Sequence, residues 1–184
     1  YTDKGKTYKV LLSFSEEGGM TGHAQGERTD TLSEGMNSAL PCQLYVLNKD
    51  TGELAGEDFS KEVESCKVDT KPSEGSQKME YVEPVYNESF PNAAYVSDIN
   101  YVSDSGTNDI QWTLTMKNGD TIFLSTRLTI EKQPAVSYYA EDTPMETTEE
   151  LNALLASIEE EASADTPVYL HLPAVTYDGD ITFG

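Results

Sequence analysis

Residues 108–132 read NDIQWTLTMKNGDTIFLSTRLTIEK, and how this stretch folds back on itself decides the fold. Ile110, Trp112, Leu114 and Met116 occupy even positions before Asn118-Gly119, and Ile122, Leu124, Leu128 and Ile130 occupy even positions after it. Each run alternates apolar with polar, the pattern of a strand with one buried face. Asn-Gly between two such runs marks a hairpin, for which a two-residue type I′ loop is the usual form. That loop would pair Lys117 with Asp120 and set every even residue against an odd one. The two apolar faces would then lie on opposite sides of the sheet. A three-residue loop, Lys117-Asn118-Gly119, instead pairs Met116 with Asp120, Leu114 with Ile122 and Trp112 with Leu124. One buried face results. The expectation is a type I turn followed by Gly119 as a left-handed bulge.

Working outward, residues 7–14 (TYKVLLSF) place Tyr8, Val10, Leu12 and Phe14 on one face of a strand. The polar, glycine-containing residues 16–38 read as a loop. Residues 42–48 (CQLYVLN) read as a strand closed by the turn NKDTGE, and residues 61–69 (KEVESCKVD) as another. By composition, residues 70–77 (TKPSEGSQ) are a linker and the candidate for an internal boundary. The tetrapeptide YVSD occurs at 95–98 and again at 101–104, too few copies to build a repeat architecture. One helix stands out in residues 147–163. Thr147 and Glu150 make a capping box, and Leu151, Leu154, Leu155, Ile158 and Ala162 form an apolar stripe. Beyond it, Val168, Leu170 and Leu172, then Val175, Tyr177, Ile181 and Phe183, alternate as a strand would. The fold class is therefore α+β, β-rich, with mainly antiparallel sheet and one substantial helix near the C-terminus. Residues 1–140 form the β-rich part, and residues 141–184 a helix with strands.

Thirty-three Asp+Glu against twelve Lys+Arg leave a net charge of −21. Such a surface repels phosphate backbones and anionic lipid, which argues against nucleic acid and membrane contact. Ser, Thr, Tyr, Asn and Gly are plentiful and Lys is scarce, as in exported proteins. Cys42 and Cys66 enclose 23 residues. They read as one disulfide of an exported chain or as two thiols packed as small hydrophobes.

Most catalytic constellations are missing from the inventory. There are two histidines, His23 and His171, and no HExxH, GxSxG, SxxK or P-loop pattern. No catalytic residue is assigned and no cofactor is expected. Asp178 and Asp180 flank Gly179 and could offer two or three oxygens to calcium, although no EF-hand loop is present. Eleven tyrosines are the other surplus. Tyr95, Tyr101, Tyr138 and Tyr139, in β-prone segments with polar neighbours, are candidate contacts for a sugar ring or a protein partner. Ordinary cross-strand packing is the competing explanation.

The stretch from TTEELNALLASIEEE to VYLHLPAVTYDGDITFG resembles the lead-in to a right-handed parallel β-helix in large exported proteins of gut Firmicutes. Some of these are similar to the β-lactam-sensor-type membrane metallopeptidase family with an extended extracellular region. The resemblance covers under a quarter of the chain and carries no catalytic motif. It implies a non-catalytic extracellular portion of a longer surface or sensor protein, whose final strand starts a further region. The expected function is thus binding or sensing of a protein or glycan at the cell surface. Two alternatives are a carbohydrate-active domain using a carboxylate pair beside exposed tyrosines, and a structural adhesion or spacer domain.

Overall fold

A computed structural model describes residues 1–14, 27–88, 94–159, 162–163 and 166–183. The chain divides into two compact units: Tyr1–Leu32 with Met36–Glu131, and Ser33–Gly35 with Lys132–Gly184.

In the first unit, one sheet takes the order β1 (Thr2–Asp3), β2 (Lys6–Phe14), β4 (Asn37–Asn48), β8 (Ala94–Val102) and β6 (Glu80–Tyr81). A further strand, β7 (Val85–Asn87), also pairs with β8. The second sheet takes the order β3 (Arg28–Ser33), β10 (Thr121–Gln133), β9 (Thr107–Met116) and β5 (Val63–Pro72). Neighbouring strands β2–β4, β4–β8, β9–β10 and β5–β9 are antiparallel. The fold is β-rich α+β, as the alternating pattern requires.

Hairpin β9–β10 has the three-residue loop. Leu114 pairs with Ile122 and Trp112 with Leu124, while the Met116 N–H donates to Asp120 O. The Gly119 N–H donates back to Met116 O at 2.8 Å, and Gly119 has φ +90°. Among the described residues Lys4 is the one non-glycine with positive φ, which excludes a type I′ turn at Asn118. The physical reason is parity: an odd loop keeps both even-numbered apolar sets on one face.

That face meets the first sheet in a single core. Ile110, Trp112, Leu114 and Leu128 pack with Leu12, Cys42, Leu44 and Ile99, all buried. Transfer of such surface from water is the main stabilising term of the sandwich. Tyr8, Leu12 and Phe14 of β2 are buried as their alternation demands.

Several segments differ from the sequence reading. Residues 28–33 and 37–38, read as loop, are β3 and the start of β4. Their strand character comes from pairing with long neighbours, since the segment RTDTLS has little apolar content of its own. Residues 16–26 of the expected loop lie outside the described residues. A short helix, α1 (Gly56–Ser60), was not expected; it holds Phe59 against Tyr1 and Tyr8 in edge-on aromatic contacts. Of the linker-like residues 70–77, residues 70–72 end β5, where Thr70, Lys71 and Pro72 pair with β9, and residues 73–77 begin its connection to β6, within the first unit. Both copies of YVSD begin in β8, and because six is an even spacing, Tyr95 and Tyr101 share its core-facing side. Turn NKDTGE forms as read, with Asn48 Oδ1 accepting from the Asp50 and Thr51 N–H groups.

The second unit is a βαβ arrangement of β11 (Val136–Tyr139), α2 (Thr148–Ile158) and β12 (Val168–His171), with β11 and β12 parallel. A crossover of this length with a helix is what parallel pairing needs. Leu151, Leu154 and Ile158 of α2 pack with Met145, Tyr138, Val168 and Leu170. Ala162, assigned to the stripe, lies past the helix end and is exposed. The capping box is complete: Thr147 Oγ1 accepts from Glu150 N, and Glu150 Oε2 accepts from Thr147 N. Thr147→Ala is expected to cost about 1 kcal/mol and to speed amide exchange in the first turn of α2. Unchanged exchange at Leu151 would count against the cap's role.

The expected strand continuing through Val175, Tyr177, Ile181 and Phe183 does not form. Pro173 carries no N–H for a ladder, and polar side chains of α2 take up the backbone that follows. Thr148 Oγ1 donates to Asp178 O at 2.8 Å, Asn152 Nδ2 donates to Asp180 O at 3.0 Å, and Asn152 Oδ1 accepts from Thr182 N at 2.9 Å. Phe183 is left 77% exposed. Alternation alone did not distinguish a strand from a segment laid along a helix.

Candidate functional site

Within the first unit, an open groove of about 500 Å³ lies where β4 begins and β8 ends. Antiparallel pairing puts Asn37 opposite Val102 and Ala39 opposite Asn100, so these four share the outward face of the first sheet. Glu80 of β6 pairs with Asn100 and extends the floor. Gln77, Lys78 and Ser105 also line it, with Ser38 and Tyr101.

The wall at residues 76–79 is held chiefly by the side chain of Asn108. Asn108, the second residue of β9, is fully buried. Its Oδ1 accepts from Met79 N at 3.0 Å, and its Nδ2 donates to Gln77 O at 2.9 Å and Ser105 O at 3.1 Å. Met79 O in turn accepts from the Thr70 hydroxyl. Ser76 Oγ accepts from Thr107 N at 2.9 Å, beside Gly106. Gly106 has φ +58°, and a Cβ there would meet Ser76 Oγ at 2.5 Å. Turn and wall therefore fit only with glycine at this position.

Around the groove, charge is locally balanced. Lys78 Nζ donates to Asp69 Oδ1 at 2.8 Å. The Lys78 hydrogen bond holds the Asp69 carboxyl below its ordinary range, and the same bond raises Lys78. A carboxylate depressed in the folded state contributes above its unfolded pKa, and the contribution is lost as pH falls through the folded value. Amide shifts of residues 76–79 are thus expected to titrate with a midpoint below that of a free aspartate. In Asp69→Asn that transition should vanish; its persistence would assign it to another acid. Tyr101 forms part of the lining, but the residue is buried. Burial pushes its phenol up, and its Oη donates to Asp30 Oδ2 at 3.4 Å.

The tyrosines singled out in the sequence are divided between the two units. Tyr95 is half-buried on β8 with its ring 5.5 Å from Tyr86, and Tyr101 lies in the groove wall. Tyr138 packs into the core of the second unit. Tyr139 is 48% exposed there and stacks on His171 at 4.1 Å. His23 lies outside the described residues. Asp178 and Asp180 are exposed, and it is their backbone carbonyls that are engaged, by Thr148 and Asn152. Among the described residues no group of three or more His, Cys, Asp or Glu is placed to hold a metal ion. The disulfide alternative is corrected: Cys42, on β4, and Cys66, on β5 of the other sheet, are both free thiols. Burial pushes each up to about 12, against a partial opposing effect of Trp112 on Cys42.

Sequence reasoning missed Asn37, Gln77, Asn100 and Asn108. Isolated amides carry no periodic signal, and only Gly106, two residues before Asn108, hinted at a close backbone approach.

Fold and groove together define two units: a two-sheet β-sandwich with an open groove on one sheet, and a small βαβ unit. No family model matches the chain, and no curated protein does. Among solved structures, it is similar to the ZirS C-terminal domain, with 16% identity over 65% of this chain and 64% of that one and a TM-score of 0.34. It thus spans less than two thirds of that domain. It is also similar to CopC from Methylosinus trichosporium OB3b, with 10% identity, coverage of 56% and 84%, and a TM-score of 0.29. A third is the BIgI domain of beta protein from S. agalactiae bound to CEACAM1, at 11% identity, coverage of 67% and 98%, and a TM-score of 0.29. Likeness at this level carries no argument about ligand or activity. No helix among the described residues is long and apolar enough to cross a membrane.

Proposed function

We propose that the chain is a non-catalytic ligand-binding module of an extracellular surface protein, and that the groove over β4, β8 and β6 is its binding site. The observation that carries this is preorganisation: a groove of about 500 Å³ whose wall is fastened by the three hydrogen bonds of buried Asn108. A wall already ordered before binding avoids the entropic cost of ordering it afterwards. A spacer domain has no need of such a wall. Glu80 is the one carboxylate in the lining, half of the pair that glycoside hydrolysis ordinarily uses, which favours binding over turnover. The acidic, lysine-poor composition and the resemblance of the C-terminal stretch support a place at the cell surface.

The test is a titration of the isotope-labelled chain with mixtures of short oligosaccharides, amino acids and short peptides. Saturable shifts at Asn37, Gln77 and Asn100, with the bound compound recovered unchanged, are the expected result. Conversion of the compound, or saturable shifts confined to other parts of the chain, would overturn the proposal.

A further inference from the structure

Resting on the groove as the binding site, the geometry points to its ligand class: an uncharged, hydroxyl-rich chain, a stretch of neutral oligosaccharide. Three side-chain carboxamides face the groove, those of Asn37, Gln77 and Asn100. All three residues are exposed, and none of these amides hydrogen-bonds another described residue. Each offers two N–H donors and a carbonyl acceptor from one planar group. A sugar hydroxyl both donates and accepts, so a vicinal pair of hydroxyls matches one carboxamide at two points. Asn37 and Asn100 are diagonal neighbours on adjacent strands, roughly 7–8 Å apart along the sheet. Ala39 and Val102 lie between and beside them, a flat apolar patch for the C–H face of a ring.

Charge selects against ionic ligands. Lys78 is already taken by Asp69, Glu80 is negative, and the chain carries −21 overall. Sulfated or uronate-rich polymers would approach against that field. A peptide is disfavoured by shape. The groove lies on the face of β4 and β8, and the backbone N–H and C=O groups of a strand point along the sheet rather than out of its face, so no strand is added across it.

The experiment uses the whole chain and follows the Asn and Gln side-chain NH₂ signals. The probes are linear neutral tetrasaccharides (cellotetraose, xylotetraose, mannotetraose, maltotetraose), a heparin-derived tetrasaccharide and tetra-alanine. At least one neutral tetrasaccharide should shift Asn37, Gln77 and Asn100 saturably, with a dissociation constant on the order of 1 mM. Asn100→Ala should weaken that binding about tenfold and leave the unfolding midpoint unchanged, because its amide has no partner among the described residues. Gln77→Ala provides the same comparison from the opposite wall. Groove shifts with tetra-alanine or the heparin fragment but with no neutral sugar would overturn the ligand class and leave the groove as the site. Groove signals that stay still with every probe would overturn both.

Discussion

Trp112→Ala is expected to destabilise the first unit by about 3–5 kcal/mol, the cost of truncating a large core side chain whose site cannot collapse. Trp112 is fully buried at the centre of β9, with Val68 opposite it on β5 and Leu124 on β10. Both neighbours are tied into their own ladders, so relaxation into the void is limited. A domain of this kind has a total stability of roughly 5–15 kcal/mol, and the variant should therefore populate unfolded chain measurably at room temperature. Urea unfolding followed by circular dichroism reads the loss as a lower midpoint. Trp112→Phe should cost less. The indole N–H that it removes is buried and has no nitrogen or oxygen partner, so its deletion leaves nothing newly unsatisfied. Since Trp112 is the single tryptophan, native fluorescence should be blue-shifted and report on this core alone. Native emission resembling that of free indole in water would contradict the packing.

Asn108→Ala should cost on the order of 3 kcal/mol, because it leaves one N–H and two carbonyls without their partner in a buried place. Its effect is also local. Met79 and Gln77 lose their tether to β9, so amide exchange at residues 76–79 should rise more than exchange in β2 or β10. Asn108→Asp separates the roles of shape and hydrogen bonding. Aspartate keeps the acceptor for Met79 N but turns an oxygen toward Gln77 O and Ser105 O, where donors are required. It should be at least as damaging as alanine despite its matching volume. If Asn108→Asp were neutral, the Nδ2 donations to Gln77 O and Ser105 O would not be what holds the wall.

The hairpin at Asn118-Gly119 shows how far sequence alone reaches. Side-chain parity is a local quantity, and it selected the three-residue loop over the commoner one before any tertiary contact was known. Thr147 and Glu150 are comparable, since a capping box is closed by residues three apart. Tyr95 and Tyr101 mark the limit. Their spacing places them on one side of a strand, but whether that side meets solvent or a second sheet depends on residues far along the chain. Asn108 lies beyond that limit, because its partners Gln77 and Met79 are brought to it by the pairing of β5 with β9.

By itself, then, the sequence determined the elements whose signals are local: alternation in β2, β9 and β10, the odd loop, the cap of α2 and the acidic surface. Tertiary structure decided what depends on distant partners. It made β3 a strand from a polar segment, laid residues 177–182 along α2, separated Cys42 from Cys66 and placed three amides around one groove. The physical reason is range. Backbone dihedrals and side-chain period act over a few residues, whereas burial and hydrogen-bond satisfaction are properties of neighbours that only the folded chain supplies.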